Sequence, residues 1–272
     1  MEDVLEQIAQ RQQHQYYGKY RGFVVDNQDP ETRGRLKLRV PTVLGDQDTG
    51  WALPCLPFGG FTNQGLFMIP EVDAQVWVEF EEGNLDHPIW VGVFWQQASD
   101  TPQEAALDEP TTRMIRTPSG HVLQFDDKSG EEQFRLAHPA GTELTINPQG
   151  TVELTDAAGA KLTMDAESNQ VILEDSNGNT MTMNASGTVI QDSNGNQVEM
   201  AAAGITLKST KIVLDGIQVH AGGEGGEPLV KGQTFMGMYN AHTHVCTAPG
   251  SPSGPPLPPL TPAALTIKTK GQ

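Results

Sequence analysis

The feature that most restricts this chain is a run of short, near-identical units between Gly141 and Asp215. Glycines at 141, 150, 159, 178, 187, 195 and 204 stand eight to ten residues apart, with Asn169 in the one vacant slot. Around these markers run alternating pairs: Leu144 and Ile146, Val152 and Leu154, Leu162 and Met164, Val171 and Leu173, Met181 and Met183, Val198 and Met200, Ile205 and Leu207, Ile212 and Leu214. Period-two alternation bounded by turn residues marks a half-buried β-strand. One such unit cannot bury its apolar pair alone. It must stack on copies of itself or on other chains.

A β-helix closed within one chain needs about three strands per coil, a period of about 20–30 residues. Here the unit carries one inward pair, and no higher period of three units emerges. Each chain then supplies one wall that other chains must complete, with the apolar pairs meeting at the centre. Closure by neighbouring chains leaves no free sheet edge.

Composition supports an all-β reading. The 272 residues include 29 Gly and 19 Pro, and aromatic residues make up 6%. That is punctuation of short strands. The net charge of -17 opposes nucleic acid and anionic lipid as electrostatic partners. Cys55 and Cys246 are far apart and make no disulfide framework. The acidic, polar N-terminus lacks the apolar core of a signal peptide. No apolar run approaches the roughly 20 residues of a membrane helix. The expectation is a protein made in the cytoplasm and carried outward by an assembled particle.

Along the chain, residues 1–16 read as one short helix with a thin stripe of Val4, Leu5 and Ile8, either a docking arm or a frayed end. Residues 17–97 hold five short strands joined by Gly/Pro turns, which suits a small closed barrel of the OB type. Residues 98–115 are a polar, Pro-containing linker, and strands restart at Arg116. A shaft over 116–227 and an apex over 228–272 complete the domains.

Several positions have both order and spacing in common with one family: Pro70, Glu71, Val76, Val78, Phe80, Gly83, Asp86, Pro88, Val91 and Gly92. On them residues 17–97 resemble the OB domain of phage baseplate central-spike proteins, the baseplate assembly protein V family related to the VgrG spikes of type VI secretion. The resemblance implies an OB-fold that docks on a baseplate hub. It also implies a homotrimer with a triple-stranded β-helix shaft, and a structural needle that pierces the target cell envelope when the sheath contracts. The short linker leaves no room for the lysozyme-type domain of some relatives, so the expectation is no enzyme activity.

At the apex one constellation stands out, His242-Thr243-His244. In a strand, residues i and i+2 share a face. Some relatives in the resembled family bind iron through an apical His-x-His. Three copies would bring six imidazoles around one axis, which suits Fe2+, with Zn2+ as the other candidate. Only His242 and His244 match that motif; Cys246 reads as a small neighbour of the site. The repeated Asp-Ser-Asn-Gly-Asn segments at 175–179 and 192–196 resemble the start of a calcium loop but lack its distal Glu. Asn-Gly turn chemistry accounts for them, both residues tolerating positive φ. The Pro-rich run before 260 and the alternating Leu265 and Ile267 suggest an ordered tail that returns to the shaft.

Three other functions compete. A glycan depolymerase on a β-helix would use carboxylate pairs such as Glu174 and Asp175, but these sit scattered among turns rather than in a cleft. A spike whose end is a platform for a separate tip or effector protein is another. An oligonucleotide-binding OB domain would rest on one compact basic stripe, Arg35, Lys37 and Arg39.

Overall fold

A computed structural model describes residues 15–217, 232–244 and 259–261. The expected helix over 1–16 lies outside them except for Gln15 and Tyr16, which are not helical. The chain divides at Lys208 into two compact units.

The first unit begins with five strands: β1 (Tyr20–Asp26), β2 (Lys37–Arg39), β3 (Leu53–Pro54), β4 (Gln75–Phe80) and β5 (Pro88–Val93). Their order is β2-β1-β4-β5-β3, with β3 and β5 parallel. Paired hydrogen bonds between Leu36 and Ala52, 3.1 and 2.7 Å, join β2 to β3 and close the ring. Closure in the order 1-2-3-5-4 makes this an OB barrel. Alternation supplies its core: Val24, Leu36, Leu38, Val40, Val76, Val78, Phe80 and Trp90 are buried. Gly22 permits the close crossing of β1, since a Cβ there would lie 2.7 Å from Val78 Cγ2. The Trp90 indole donates to the Gly34 carbonyl at 3.1 Å.

The linker is shorter than the sequence suggested. Strand β6 (Thr112–Arg116) starts four residues before Arg116, after two 3-10 turns at Ala98–Asp100 and Gln103–Ala105. Glu104 pairs with Arg116, tying the linker to β6. Asp100 is held below the usual carboxylate range, chiefly by the Gln97 N–H.

Ten more strands follow: β7 (Val122–Asp126), β8 (Gln133–Ala137), β9 (Glu143–Ile146), β10 (Val152–Thr155), β11 (Lys161–Asp165), β12 (Gln170–Glu174), β13 (Thr180–Asn184), β14 (Gly187–Gln191), β15 (Gln197–Ala201) and β16 (Gly204–Lys208). With β6 they form one antiparallel sheet in strict sequence order. Each connection contains or abuts one residue at positive φ: glycines 120, 130, 141, 150, 159, 178, 187, 195 and 204, and Asn169 at φ 51°. Asn169 thus fills its vacant slot in the same left-handed conformation as its neighbours.

Six of these turns share one construction. A polar residue (Thr117, His138, Asn147, Asp156, Asp175 or Asp192) stands three before the glycine, and the glycine N–H donates to its carbonyl. The side chain of that residue also accepts backbone N–H groups within the loop, as Asp156 Oδ1 does from Ala158 and Ala160 at 2.9 and 2.8 Å. This is a three-residue hairpin loop ending in a left-handed glycine. In the Asp-Ser-Asn-Gly-Asn turns only the glycine takes positive φ, at 84° and 82°, not the Asn-Gly pair together.

In the second unit, residues 209–217 contain no strand, so the one expected around Ile212 and Leu214 is not formed. Within the segment read as the apex, Gly232–Ala241 is a helix. The Gly-rich 222–227, His220, Cys246, most of the Pro-rich run and the final Leu265–Ile267 segment lie outside the described residues.

Candidate functional site

The pairings of β7–β16 carry the alternating pairs from Leu144 to Leu207 into two continuous rows, one member of each pair in each row. One row runs Leu123, Leu136, Leu144, Leu154, Leu162, Leu173, Met181, Ile190, Val198, Leu207. The other runs Phe125, Phe134, Ile146, Val152, Met164, Val171, Met183, Thr188, Met200, Ile205. Antiparallel pairing without slip keeps both rows on one face, because a one-residue shift would send every side chain to the other side. Along β7–β16 Thr188 is the single polar member of either row; in β6 Ile115 continues one row beside Leu123 and Arg113 ends the other beside Phe125.

The intervening row faces the opposite way: Gln124, Arg135, Thr145, Glu153, Thr163, Ile172, Thr182, Val189, Glu199, Thr206. It is stitched by ion pairs to the flanking row, Arg135 to Glu143 at 3.0 Å and Lys161 to Glu153 at 2.8 Å. The Glu143 carboxylate raises the pKa of Arg135. No residue of the two apolar rows is buried, and Leu136, Leu154, Met164, Leu173, Ile190 and Leu207 are exposed outright. A sheet one layer thick thus shows water an apolar band along its whole length. Contiguous exposed apolar surface on this scale marks an interaction face.

The turns at the sheet margin are engaged internally. Asp175 Oδ1 accepts from the Asn177 and Asn179 N–H groups at 2.9 Å, and Oδ2 from the Asn179 amide at 2.6 Å. With Asn179 as the leading cause these bonds lower its pKa to about 2. Asp192 is lowered in the same way by Asn196. Asn179 Oδ1 accepts from the Ser193 N–H at 3.2 Å, so the two like turns stack on one margin.

In the barrel, the basic stripe is largely occupied. Arg35 makes two bonds to the buried Asp29 carboxylate, 2.6 and 3.1 Å, and another ion pair to Glu31. Asp29 is held far below the usual range by that guanidinium, helped by the N–H groups of Glu31, Arg33 and Arg35. Lys37 pairs with Asp26 at 3.5 Å, and both Arg35 and Lys37 lie over the Trp51 ring. These are fold contacts rather than a phosphate-binding groove.

At the apex, His242 follows the helix Gly232–Ala241 rather than lying in a strand, and its N–H bonds the Met238 carbonyl. His242 and His244 still come together, with ring centroids 5.2 Å apart. His242 Nδ1 donates to the Tyr239 carbonyl, leaving Nε2 as the unprotonated nitrogen of the neutral ring. A carbonyl partner of this kind orients metal-binding histidines. The pair therefore fits a first-row divalent ion. Among the described residues no group of three or more His, Cys, Asp or Glu gathers in one chain. A full ligand set would require more than one copy. Sequence reading missed Asn240, whose side chain bonds both backbone groups of Leu260. An Asn next to a helix end carries no distinctive pattern.

Residues 20–95 match the model of the type VI secretion system/phage-baseplate injector OB domain. The pre-baseplate central spike protein Gp5 of Enterobacteria phage T4 is 44% identical over 41 residues, covering 15% of this chain and 7% of that protein. The actin cross-linking toxin VgrG1 of Vibrio cholerae serotype O1 is 28% identical over 115 residues, 39% of this chain and 10% of that protein. The matches thus span a tenth or less of these relatives' length. Among solved structures, the TCP10 domain of Danio rerio CPAP bound to a STIL peptide covers 38% of this chain and 71% of its own, at 13% identity and a TM-score of 0.24. That score carries no argument. Residues 20–95 thus match the OB-domain model of type VI secretion and phage-baseplate injectors, and stretches of the chain are similar to a phage central-spike protein and to a VgrG protein.

Proposed function

We propose that this chain is the central spike of a contractile tail or injection particle, working as a homotrimer. The observation that carries this reading is the pair of apolar rows on one face of a single-layer sheet. Three copies placed face to face around an axis bury all three bands at once and leave the ion-paired face outside. Two copies would form a flat sandwich with both sheet flanks open. Three walls also close the flanks with neighbouring turns. The outer charge, ten acidic against three basic residues between 141 and 215, keeps such a shaft soluble and apart from its like.

The OB barrel precedes the shaft in sequence and provides the docking module for a baseplate hub. The shaft transmits force generated elsewhere, so its own task is stiffness. A sheet in which every strand pairs with its sequence neighbour and six of the ten turns are pinned by the side chain of their first residue suits that task. His242 and His244 from three copies would hold one divalent ion, Fe2+ or Zn2+, which supplies a crosslink between chains at the end that meets the target envelope. No catalytic group is assigned. In support, Asp156, Asp175 and Asp192 serve as turn acceptors rather than lining a cleft.

The test is the mass of the purified chain by sedimentation. Three chain masses are expected, and a monomer would remove the shaft.

A further inference from the structure

Residues 49–70 hold no charged side chain, in a chain of which 19% is charged and whose net charge is -17. They carry instead Phe58, Phe61, Leu66, Phe67 and Met68, all exposed, Phe61 by 76%. The backbone beneath these side chains is braced. The Leu66 N–H donates to the Phe58 carbonyl at 3.0 Å, and Phe61 pairs with Gln64 in a further bridge. Gly59 and Gly65, both at positive φ, let the two arms of this hairpin close: a Cβ on Gly59 would lie 3.4 Å from the Gly65 Cα. The rings thus stand outward on a preformed support, which lowers the cost of ordering them against a partner. Aromatic residues and Met without charge make the composition of an interface core.

The strand pairings fix the end of the barrel at which the hairpin lies. β3 is parallel to β5, and β4 is antiparallel to it with Val76 opposite Val93. The connection from β3 to β4 therefore lies at the end where β5 leaves for the linker and the shaft. The described chain enters at the other end, where the Tyr16 N–H donates to the Gly83 carbonyl at 2.9 Å. At the exit a second apolar strip is open to water, Val93 and Trp95, exposed by 58% and 62%. The linker is anchored at both ends. Asp100 accepts from the Gln75 amide of β4 at 3.4 Å and from the Gln96 and Gln97 N–H groups, and Glu104 pairs with Arg116 of β6.

We propose that the two patches meet between copies: the hairpin 57–68 of one barrel packs against the strip 93–95 of the next, in a ring of three. The proposal rests on the trimeric shaft put forward above. Three walls around one axis, each with a short anchored linker, bring the three barrel exits together. Cyclic threefold contacts are heterologous, so each copy must offer two different patches, and one end of the barrel carries both. Charge favours a copy over the hub as occupant. All copies share the same strongly negative charge, and a face without charged groups is where they can approach without repulsion. Both patches also lie at the shaft end of the barrel.

The test puts the photoreactive p-benzoylphenylalanine in place of Phe61 in the full chain. Photolysis of the purified trimer should give bands at two and three chain masses on a denaturing gel, with adducts mapped by peptide mass to residues 93–95 of another copy. The same probe in place of Tyr17, exposed at the far end of the barrel, should give none. Trp95→Asp should cut the adduct about tenfold while the trimer mass stays unchanged. A trimer in which the probe at 61 stays unlinked, or reacts only within its own chain, would overturn the proposal. So would an adduct formed only with a hub protein added to the trimer, which would assign the hairpin to docking. Sedimentation as a monomer would instead overturn the shaft reading itself, a result visible in the mass before any crosslink is scored.

Discussion

Asn240 holds Leu260 by both of its backbone groups: the Asn240 amide donates to the Leu260 carbonyl at 3.0 Å, and the Leu260 N–H donates to Asn240 Oδ1 at 2.9 Å. A side-chain amide used in this way imitates a strand partner. It brings the chain beyond the Pro-rich run back beside the helix Gly232–Ala241, two residues before His242. Asn240→Ala removes both bonds at once, a loss of about 1–3 kcal/mol at this contact. Hydrogen exchange at the Leu260 amide should accelerate by one to two orders of magnitude while the barrel amides keep their protection. Unchanged exchange would show that other contacts hold the segment.

The Asp175 turn predicts an acid limit. Its carboxyl titrates near 3.8 when unfolded and is lowered to about 2 in the fold. A depressed carboxylate contributes stability that is fully present above the unfolded value and is lost as pH falls through the folded one. Thermal melting should therefore decline between about pH 4 and pH 2. Asn147 occupies the same place in its own turn and accepts from Gln149 and Thr151 without a charge. Asp175→Asn should accordingly keep the turn at neutral pH and flatten the acid decline. A decline of equal slope in the variant would assign the acid limit to other carboxylates, with Asp192 the next to test.

Much of this molecule is legible in its residue order because its contacts are local. The barrel strands and both apolar rows follow from alternation, and hairpins of fixed length translate alternation into register. Asn169 could be placed because only a few residue types accept its backbone conformation. The helix Gly232–Ala241 could not, since Gly232 and Gly237 lower its helix propensity and its apolar residues make no clean stripe. Ile212 and Leu214 show the other limit. Alternation says which face a strand would present, and it says nothing of which chain lies along its edge.

Two glycines of the shaft separate backbone strain from collision. A Cβ on Gly187 would sit 2.0 Å from the Met200 carbonyl oxygen, while at Gly195 nothing lies within 4 Å. Gly195→Ala meets only the cost of a left-handed alanine, about 1–2 kcal/mol. Gly187→Ala must also push β14 away from β15 and should cost well beyond that. Denaturant melts of the two variants should rank in this order. Equal losses would mean that the ladder yields at Gly187 without penalty.

The two faces of the sheet should respond oppositely to charge. Leu154 lies in an apolar row, and Thr163 lies on the other face one strand away. Leu154→Glu places three carboxylates at the centre of the trimer and should dissociate it, since even truncation of such a leucine costs about 2–5 kcal/mol per chain. Thr163→Glu should change stability by less than about 0.5 kcal/mol. Sedimentation of both variants at matched concentration checks this. Dissociation by Thr163→Glu with survival of Leu154→Glu would reverse the assignment of inside and outside.

The apex offers the last prediction. Two imidazoles per chain, one of them oriented through the Tyr239 carbonyl, leave each copy short of a complete ligand set, so metal content should follow assembly. Elemental analysis of the trimer should find about one first-row divalent ion per three chains. His242→Ala combined with His244→Ala should abolish it, and His242→Ala alone should lower it more than substitution of Tyr239, whose contribution is a backbone carbonyl that any residue retains. Because the apolar rows join the chains independently, the double variant should remain trimeric and lose only resistance of the apex to heat and protease. Metal content unchanged in the double variant would place the ion elsewhere. Loss of the trimer would mean that the apex, not the shaft, holds the chains together.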